Sequence, residues 1–271
     1  MVFIVKVPGI NGLKSKGCER AGNAMLEELK EIHGNEQGKP VDSKLLDIEE
    51  IHLDNNNLEL TNKLIYENAY ETFRDKEKTI FLGGDHSISY SLVRAFLDYC
   101  QGLEEAKEPC LIVFDSSADC GASRNGFADN VSWIGKLVED KFPTKNILLI
   151  GTRNVNRNEA EFLTKHKIRV VNMNQLLIDL EDSCDIIMEF SSRKELYVSI
   201  DIGVIDPSFA PSTKSLEPGG MSSREFLYLI QRMNKIKNLH GVDIVEINSE
   251  KDETKGNLTV KLGAKILSEF L

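Results

Sequence analysis

The sequence predicts a single α/β domain over residues 1–271, a three-layer α/β/α arrangement around a central, mostly parallel sheet. Three observations predict it. Short runs of β-branched and other apolar residues alternate with longer amphipathic segments, the order that strand, crossover helix and next strand require. Several of the short runs are almost wholly apolar, as expected of strands covered by helices on both faces. With 41% hydrophobic content, 271 residues can bury a substantial core. The turn-rich stretches Gly34–Pro40 and Ser249–Gly256 are polar loops too short to link separate domains.

In chain order, Val2–Val7 reads as a strand and Ala21–Ile32 as an amphipathic helix. Leu60–Arg74 is a second helix, leading to a strand at Thr79–Leu82 and a helix at Ser87–Tyr99. The alternation continues with strand Cys110–Phe114, helix Val131–Asp140, strand Asn146–Ile150 and helix Glu159–His166. Strand Ile168–Val171, helix Met173–Leu180 and strand Leu196–Ile200 follow, then helix Ser223–Met233, strand Gly241–Glu246 and helix Leu258–Phe270. The helix at Ser223 has the clearest start, because Ser222 can cap it while Glu225 occupies the capping-box position.

Composition excludes several classes of function. A formal charge of −10 with 28% charged residues makes an acidic surface that repels a phosphate backbone, so no nucleic-acid partner is expected. No apolar run approaches the roughly 20 residues that span a bilayer, and Met1–Val7 is too short for a signal segment. A cytoplasmic protein without a membrane partner is the expectation. The five cysteines, Cys18, Cys100, Cys110, Cys120 and Cys184, are odd in number and lack C-x-x-C spacing, which argues against a disulfide framework or zinc ribbon. They read as reduced, buried, small apolar residues.

Ligands of an open parallel sheet collect outside the carboxyl ends of its strands, so polar residues just after apolar strands are the candidates for chemistry. Strand Thr79–Leu82 leads into Gly83-Gly84-Asp85-His86, strand Cys110–Phe114 into Asp115-Ser116-Ser117-Ala118-Asp119, and strand Leu196–Ile200 into Asp201, while Glu246 ends Gly241–Glu246. One imidazole with several carboxylates on one rim is an oxygen-rich donor set suited to a fairly hard divalent ion such as manganese.

These segments carry a resemblance. Gly83-Gly84-Asp85-His86-Ser87, Asp115–Asp119, Ser199–Pro207, Glu217–Glu225 and Val242–Asn248 reproduce the order and spacing of the motifs of the ureohydrolase family, the manganese-dependent arginases and agmatinases. The likeness runs along nearly the whole chain, and the Glu217-Pro218-Gly219-Gly220 form looks more like agmatinases than arginases. It implies an arginase-like fold, a homo-oligomer (trimer or hexamer) and hydrolysis of a guanidino or amidino C–N bond in a small molecule. In the family two ions are held by histidines and aspartates. The counterparts of the first ion's ligands, His86, Asp115, Asp119 and Asp201, are all present. For the second ion the family histidine is Ser117 here and the second aspartate of the S-x-D-x-D segment is Gly203, so only the bridging Asp115 and Asp201 remain. The family histidine assigned to proton transfer aligns with Phe127, and its R-D-x-D segment reads Arg153-Asn154-Val155-Asn156. Asn154 and Asn156 keep the shape of aspartates without the charge that would hold a substrate ammonium. Glu246 matches the glutamate that binds the guanidinium group.

The resemblance therefore implies manganese at one well-formed site at most, with Asp115, Asp201 and Glu246 as the catalytic set and Glu246, Asn154 and Asn156 against the substrate. Other residues read more simply as structural: Asp206-Pro207 initiates a turn, Gly219-Gly220 makes a tight turn before a helix, and Cys120 is a buried thiol. His33, His52, His166 and His240 lie outside every motif, and the segments Gly121–Ala128 and Ser212–Leu216 have no readable match to the family. Three functions stay open: a degenerate arginase- or agmatinase-like hydrolase with weakened or lost activity, a non-catalytic binding or regulatory subunit that keeps the fold, and a single-metal amide hydrolase.

Overall fold

The computed structural model describes residues 2–103, 105–123 and 126–271. Its strands are β1 (Val2–Val7), β2 (Asp47–Glu50), β3 (Lys78–Gly83), β4 (Pro109–Phe114), β5 (Ile147–Thr152), β6 (Arg169–Asn172), β7 (Glu195–Asp201) and β8 (Leu239–Val245). They form one sheet in the order β2-β1-β3-β8-β7-β4-β5-β6, and every pairing is parallel. The helices are α1 (Ala21–Leu29), α2 (Leu58–Asp75), α3 (Ile88–Gly102), α4 (Trp133–Glu139), α5 (Arg157–His166), α6 (Met173–Ile178), α7 (Leu180–Ser191), α8 (Ser223–Met233), α9 (Ser249–Asp252) and α10 (Leu258–Phe270).

Alternate strand residues feed two separate cores, which makes the three layers. Ile4, Ile80, Ile112, Val198 and Val242 pack on one face with residues of α1, α8 and α10 such as Met25, Phe226 and Ile266. Phe3, Phe81, Leu111 and Tyr197 pack on the other with α2, α3 and α4, through Phe73, Phe96 and Trp133. All five cysteines are buried and free, in accord with the reading of their spacing. Among the described residues no helix is long and apolar enough to cross a membrane.

Strand register assembles the candidate residues. Leu82 pairs with Ile244, Ile244 with Ile200, and Ile200 with Phe114, so the ends of β3, β8, β7 and β4 lie in one row. Asp115 and Asp201 stand at the next position of their chains, and His86 and Glu246 close behind. Two loops must approach closely to complete the row. Gly84 N–H donates to Val7 O (3.0 Å), Asp85 N–H to Gly9 O (3.1 Å) and Glu246 N–H to Gly84 O (2.9 Å).

The sequence reading departs from the structure in three places. β2 went unforeseen because Asp47-Ile48-Glu49-Glu50 is exposed throughout and pairs only with β1, so no apolar pattern marks it; its charge suits a sheet edge. The helix expected at Met173–Leu180 ends at Ile178, because Asp179 accepts from Glu181 N–H (3.0 Å) and Asp182 N–H (2.9 Å) and starts α7, a separate helix absent from the sequence reading. The expected loop Ser249–Gly256 contains the single turn α9, capped by Asn248. The capping box at α8 is present: Ser222 N–H donates to Glu225 Oε2 (2.7 Å) and Glu225 N–H to Ser222 Oγ (3.2 Å).

A Cβ built on Gly84 would lie 2.1 Å from the backbone oxygen of Gly9, which cannot swing aside as a side chain can. Gly84→Ala is expected to lower stability by about 1–3 kcal/mol, the usual range for overpacking. Urea unfolding measures it, and a midpoint equal to the wild type would contradict the required close approach.

Candidate metal centre

His86 is wholly buried on the turn between β3 and α3. Its Nδ1 lies 3.0 Å from Asp119 Oδ2, 3.2 Å from Asp115 Oδ2 and 3.6 Å from Asp201 Oδ2. On the other side of the ring, Nε2 is 2.9 Å from Ser199 Oγ. Ser199 Oγ donates to Asp243 Oδ1 (2.7 Å) and Tyr197 hydroxyl to Asp243 Oδ2 (2.9 Å). A serine whose proton is committed to Asp243 can only accept from Nε2, which assigns the neutral imidazole its proton there and leaves the Nδ1 lone pair toward the three carboxylates. An outer partner that sets the tautomer is a common arrangement around metal-ligating histidines.

The electrostatics show a shortage of positive charge. Burial opposes protonation of His86, yet the hydrogen-bonding reach of Asp115, Asp119 and Asp201 raises its pKa well above the ordinary histidine value. Burial also opposes ionisation of Asp115, but His86 and the Ser117 N–H hold it below the usual carboxylate range. Asp119 is pushed up to about 7 by burial and by Asp115, and Asp201 is raised by the same two causes. Buried carboxylates this close must share protons or a cation. His86 Nδ1 and Asp115 Oδ2 have no hydrogen-bond partner, although both lie within ion-pair range of one another. Donor atoms of His86, Asp115 and Asp201 fall within 4.8 Å of each other, a spacing that fits one ion. Asp119 stands beside them, its Oδ2 also accepting from Trp133 Nε1–H (3.0 Å), while the indole ring lies 4.7 Å from the imidazole between centroids.

The outer oxygens of the aspartates are taken by the chain itself. Asp115 Oδ1 accepts from Ser117 N–H (2.9 Å), while the single Ser117 hydroxyl proton goes to the nearer Asp119 Oδ1 (2.8 Å) rather than to Asp115 Oδ1 at 3.2 Å. Asp201 Oδ1 accepts from Gly203 N–H (2.6 Å), and a Cβ on Gly203 would lie only 2.9 Å from it. Ser117 and Gly203 thus satisfy the side of each carboxylate that faces away from His86.

Asp115, Asp119, Asp201 and Glu246 line a cavity of about 290 Å³ together with Asn130 and Asn154. Glu246 has left-handed backbone (φ 66°), which carries its buried side chain off the end of β8. Its Oε1 accepts from His86 N–H (3.1 Å) and Asn130 Nδ2 (2.9 Å), and Oε2 has no partner. Burial, then Asp201 and Asp85, pushes its pKa up to about 8. Asn154 Nδ2 donates to Glu217 Oε2 (2.8 Å) on the cavity wall. Asn156 is not brought to this cavity: its side chain accepts from Glu159 N–H (3.1 Å) in the capping box of α5. Cys120 faces the Glu159 carbonyl, and burial pushes its thiol up to about 12. In the Gly121–Ala128 segment, Arg124 and Asn125 lie outside the described residues; Phe127 is half-buried and is not among the cavity-lining residues. A larger cavity of about 860 Å³ beside Arg153, Leu163 and Met173 lacks any His or Asp donor, so donor chemistry selects the smaller one.

Sequence reasoning missed Asn130, Trp133, Tyr197, Ser199, Lys214, Glu217 and Asp243 as parts of this region. Ser199 and Asp243 had a readable signal, since each interrupts the apolar run of its strand and register pairs them directly.

A parallel α/β sheet with this donor group at its carboxyl edge is the architecture of a ureohydrolase. The arginase-family model matches residues 2–271, and the chain belongs to the arginase family. It is 28% identical to a mitochondrial arginase of Medicago truncatula over 197 residues, 72% of this chain and 55% of that protein. It is also 28% identical to proclavaminate amidinohydrolase of Streptomyces clavuligerus over 198 residues, 71% of this chain and 60% of that protein. The matches thus span little more than half the length of these relatives. Among solved structures, formimidoylglutamase from Bacillus subtilis has a TM-score of 0.88 at 22% identity, covering 99% of this chain and 85% of its own. Proclavaminate amidinohydrolase has a TM-score of 0.86 at 24% identity, covering 99% and 90%. At these identities the structural likeness is one of fold.

Ser199→Ala removes the acceptor of His86 Nε2–H and one donor to buried Asp243. The expected loss of stability is about 1–3 kcal/mol, the cost of an unsatisfied buried polar group. An unchanged unfolding midpoint would show that this chain of hydrogen bonds does not constrain the site.

Proposed function

We propose that the protein binds a single divalent ion, manganese by family resemblance, and is a weakened hydrolase of guanidino or amidino C–N bonds. The observation that carries this reading is the division of the aspartates: their Oδ2 atoms converge with His86 Nδ1, while Ser117 and Gly203 occupy their Oδ1 atoms. His86, Asp115, Asp119 and Asp201 would hold the ion. Such an ion supplies acidification of a water molecule near neutral pH, and one ion does so with less constraint than two.

The chain's own groups have separable roles in this reading. Glu246 offers the unpartnered Oε2 to an amidinium N–H, and a cation there favours the ionised form that burial disfavours. Asn130 orients that carboxylate through Oε1. Asp115 and Asp201 position the attacking water. Asn154 can contact the ligand from the wall as a neutral amide, whereas Asn156 serves as a helix cap. The ligand is a small guanidino or amidino molecule and the assembly a homo-oligomer, trimer or hexamer, both by family resemblance. A binding or regulatory subunit is the second reading, favoured by the hydroxyl of Ser117 where the family carries a metal-ligating imidazole.

Trp133 is the chain's single tryptophan and touches the site directly, so its emission reports on the ion. Metal-stripped protein titrated with manganese is expected to take up one ion per chain by calorimetry, with quenching of Trp133, and Asp115→Ala to abolish both. Two ions would refute the single-ion reading, and none would leave the binding-subunit reading. If urea or ammonia is released from agmatine or arginine, Glu246→Gln should lower kcat/KM about 10- to 100-fold, the value of a charge-assisted hydrogen bond. An unchanged kcat/KM would remove Glu246 from the substrate site.

A further inference from the structure

Lys214 is the only basic side chain among the described residues that line the carboxylate cavity. Five acids share the wall with it: Asp115, Asp119, Asp201, Glu217 and Glu246. Its place is held by the residues around it. Ser212 N–H donates to Thr259 Oγ1 on α10 (3.0 Å), and Ser212 O accepts from Asn248 N–H (2.8 Å), two residues beyond Glu246. Thr213 Oγ1 then donates to Ser215 O (2.8 Å), closing a tight bend with Lys214 between them. The segment Ser212–Leu216 is thereby tied to the end of β8, and the half-buried lysine with it.

The charge balance of the cavity calls for such a residue. One divalent ion on the His86 side offsets only part of five carboxylates. On the opposite side Ser117 and Gly203 satisfy oxygens by hydrogen bonds but bring no positive charge. Buried carboxylates without a counter-charge take up protons or cations, and Glu246 Oε2 is there without a partner. An ammonium on a flexible stem can offset charge without the fixed donor geometry that a metal ion needs. Lys214 acts on Glu246 through space, in the direction that favours its ionised form.

We infer that Lys214 is the resident counter-cation of the outer half of this cavity, supplying through a covalently attached ammonium the positive charge that would otherwise draw a second divalent ion. The inference builds on the one-ion reading above and deepens it. Lys214 is a positioning residue in this role, setting the occupancy and field of the site and making no bond to a reacting atom.

The test compares the full chain with Lys214→Gln, which removes the charge, and Lys214→Arg, which keeps it. In chelator, Lys214→Gln should unfold at a lower temperature than the wild type and Lys214→Arg should not. In a manganese titration followed by Trp133 emission and calorimetry, Lys214→Gln should bind about tenfold more tightly or accept a second ion, as expected when one positive charge is removed near a divalent ion. Lys214→Arg should match the wild type. Equal unfolding temperatures for all three proteins in chelator would overturn the inference, as would equal manganese affinity and stoichiometry where the wild type binds the ion. If the wild type binds no manganese, the metal-dependent hydrolase reading fails, and the comparison in chelator alone decides the role of Lys214.

Discussion

Negative charge buried at the ends of four adjacent parallel strands is the constraint around which this molecule is arranged. Asp115, Asp119 and Glu246 are buried and Asp201 is half-buried; the three aspartates lie within 3.0–3.6 Å of the His86 imidazole, and Glu246 accepts from the His86 backbone N–H. Such a cluster is costly unless every oxygen finds a donor or a cation. The surrounding structure is organised accordingly. Ser117, Gly203, Asn130 and Trp133 each commit an N–H or O–H to one of these carboxylates. Behind the imidazole, Ser199, Asp243 and Tyr197 form a second buried polar group that meets the first at Nε2. The oxygens left over face His86, the side on which donor atoms of His86, Asp115 and Asp201 lie close enough together for one ion to be held.

Much of this was legible in the sequence. The alternation of apolar and amphipathic runs yields seven of the eight strands, because strands covered by helices are rich in apolar residues. The exception, β2, is held by backbone pairing to β1 alone, and exposed acidic side chains record nothing of that. The division between α6 and α7 depends on how the Asp179 carboxylate is used, and an aspartate after an apolar segment is equally compatible with a continuing helix or a new cap. His86, Asp115, Asp119 and Asp201 could be listed from their motifs, and the structure brings all four together. Asn156 shows the limit of reading by resemblance: its match to the family's R-D-x-D segment implied a place against the substrate, whereas its side-chain oxygen caps α5.

What sequence could not convey is the disposition of individual oxygens. Ser117 and Gly203 read as missing ligands, yet in the structure each is an active hydrogen-bond donor to the carboxylates that remain. At these two positions the carboxylate oxygens are satisfied by hydrogen bonds from Ser117 and Gly203. Lys214 lay in a segment without a readable match, so its proximity to Glu246 became visible only once Ser212 was seen tied to Asn248 and Thr259.

The strand order has a consequence for how the protein is made. β1, β2 and β3 come first in the chain and β4, β5 and β6 next, yet the two sets are not neighbours; β7 and β8, the last strands synthesised, fill the gap between them. A nascent chain that ends before residue 195 holds two half-sheets, each with one open edge where an apolar centre should be. His86 belongs to the first half, Asp115 to the second, and Asp201 and Glu246 to the strands that join them. Repulsion among the carboxylates is thus deferred until the hydrophobic surface able to overcome it is complete, and the donor atoms meet only in the finished sheet.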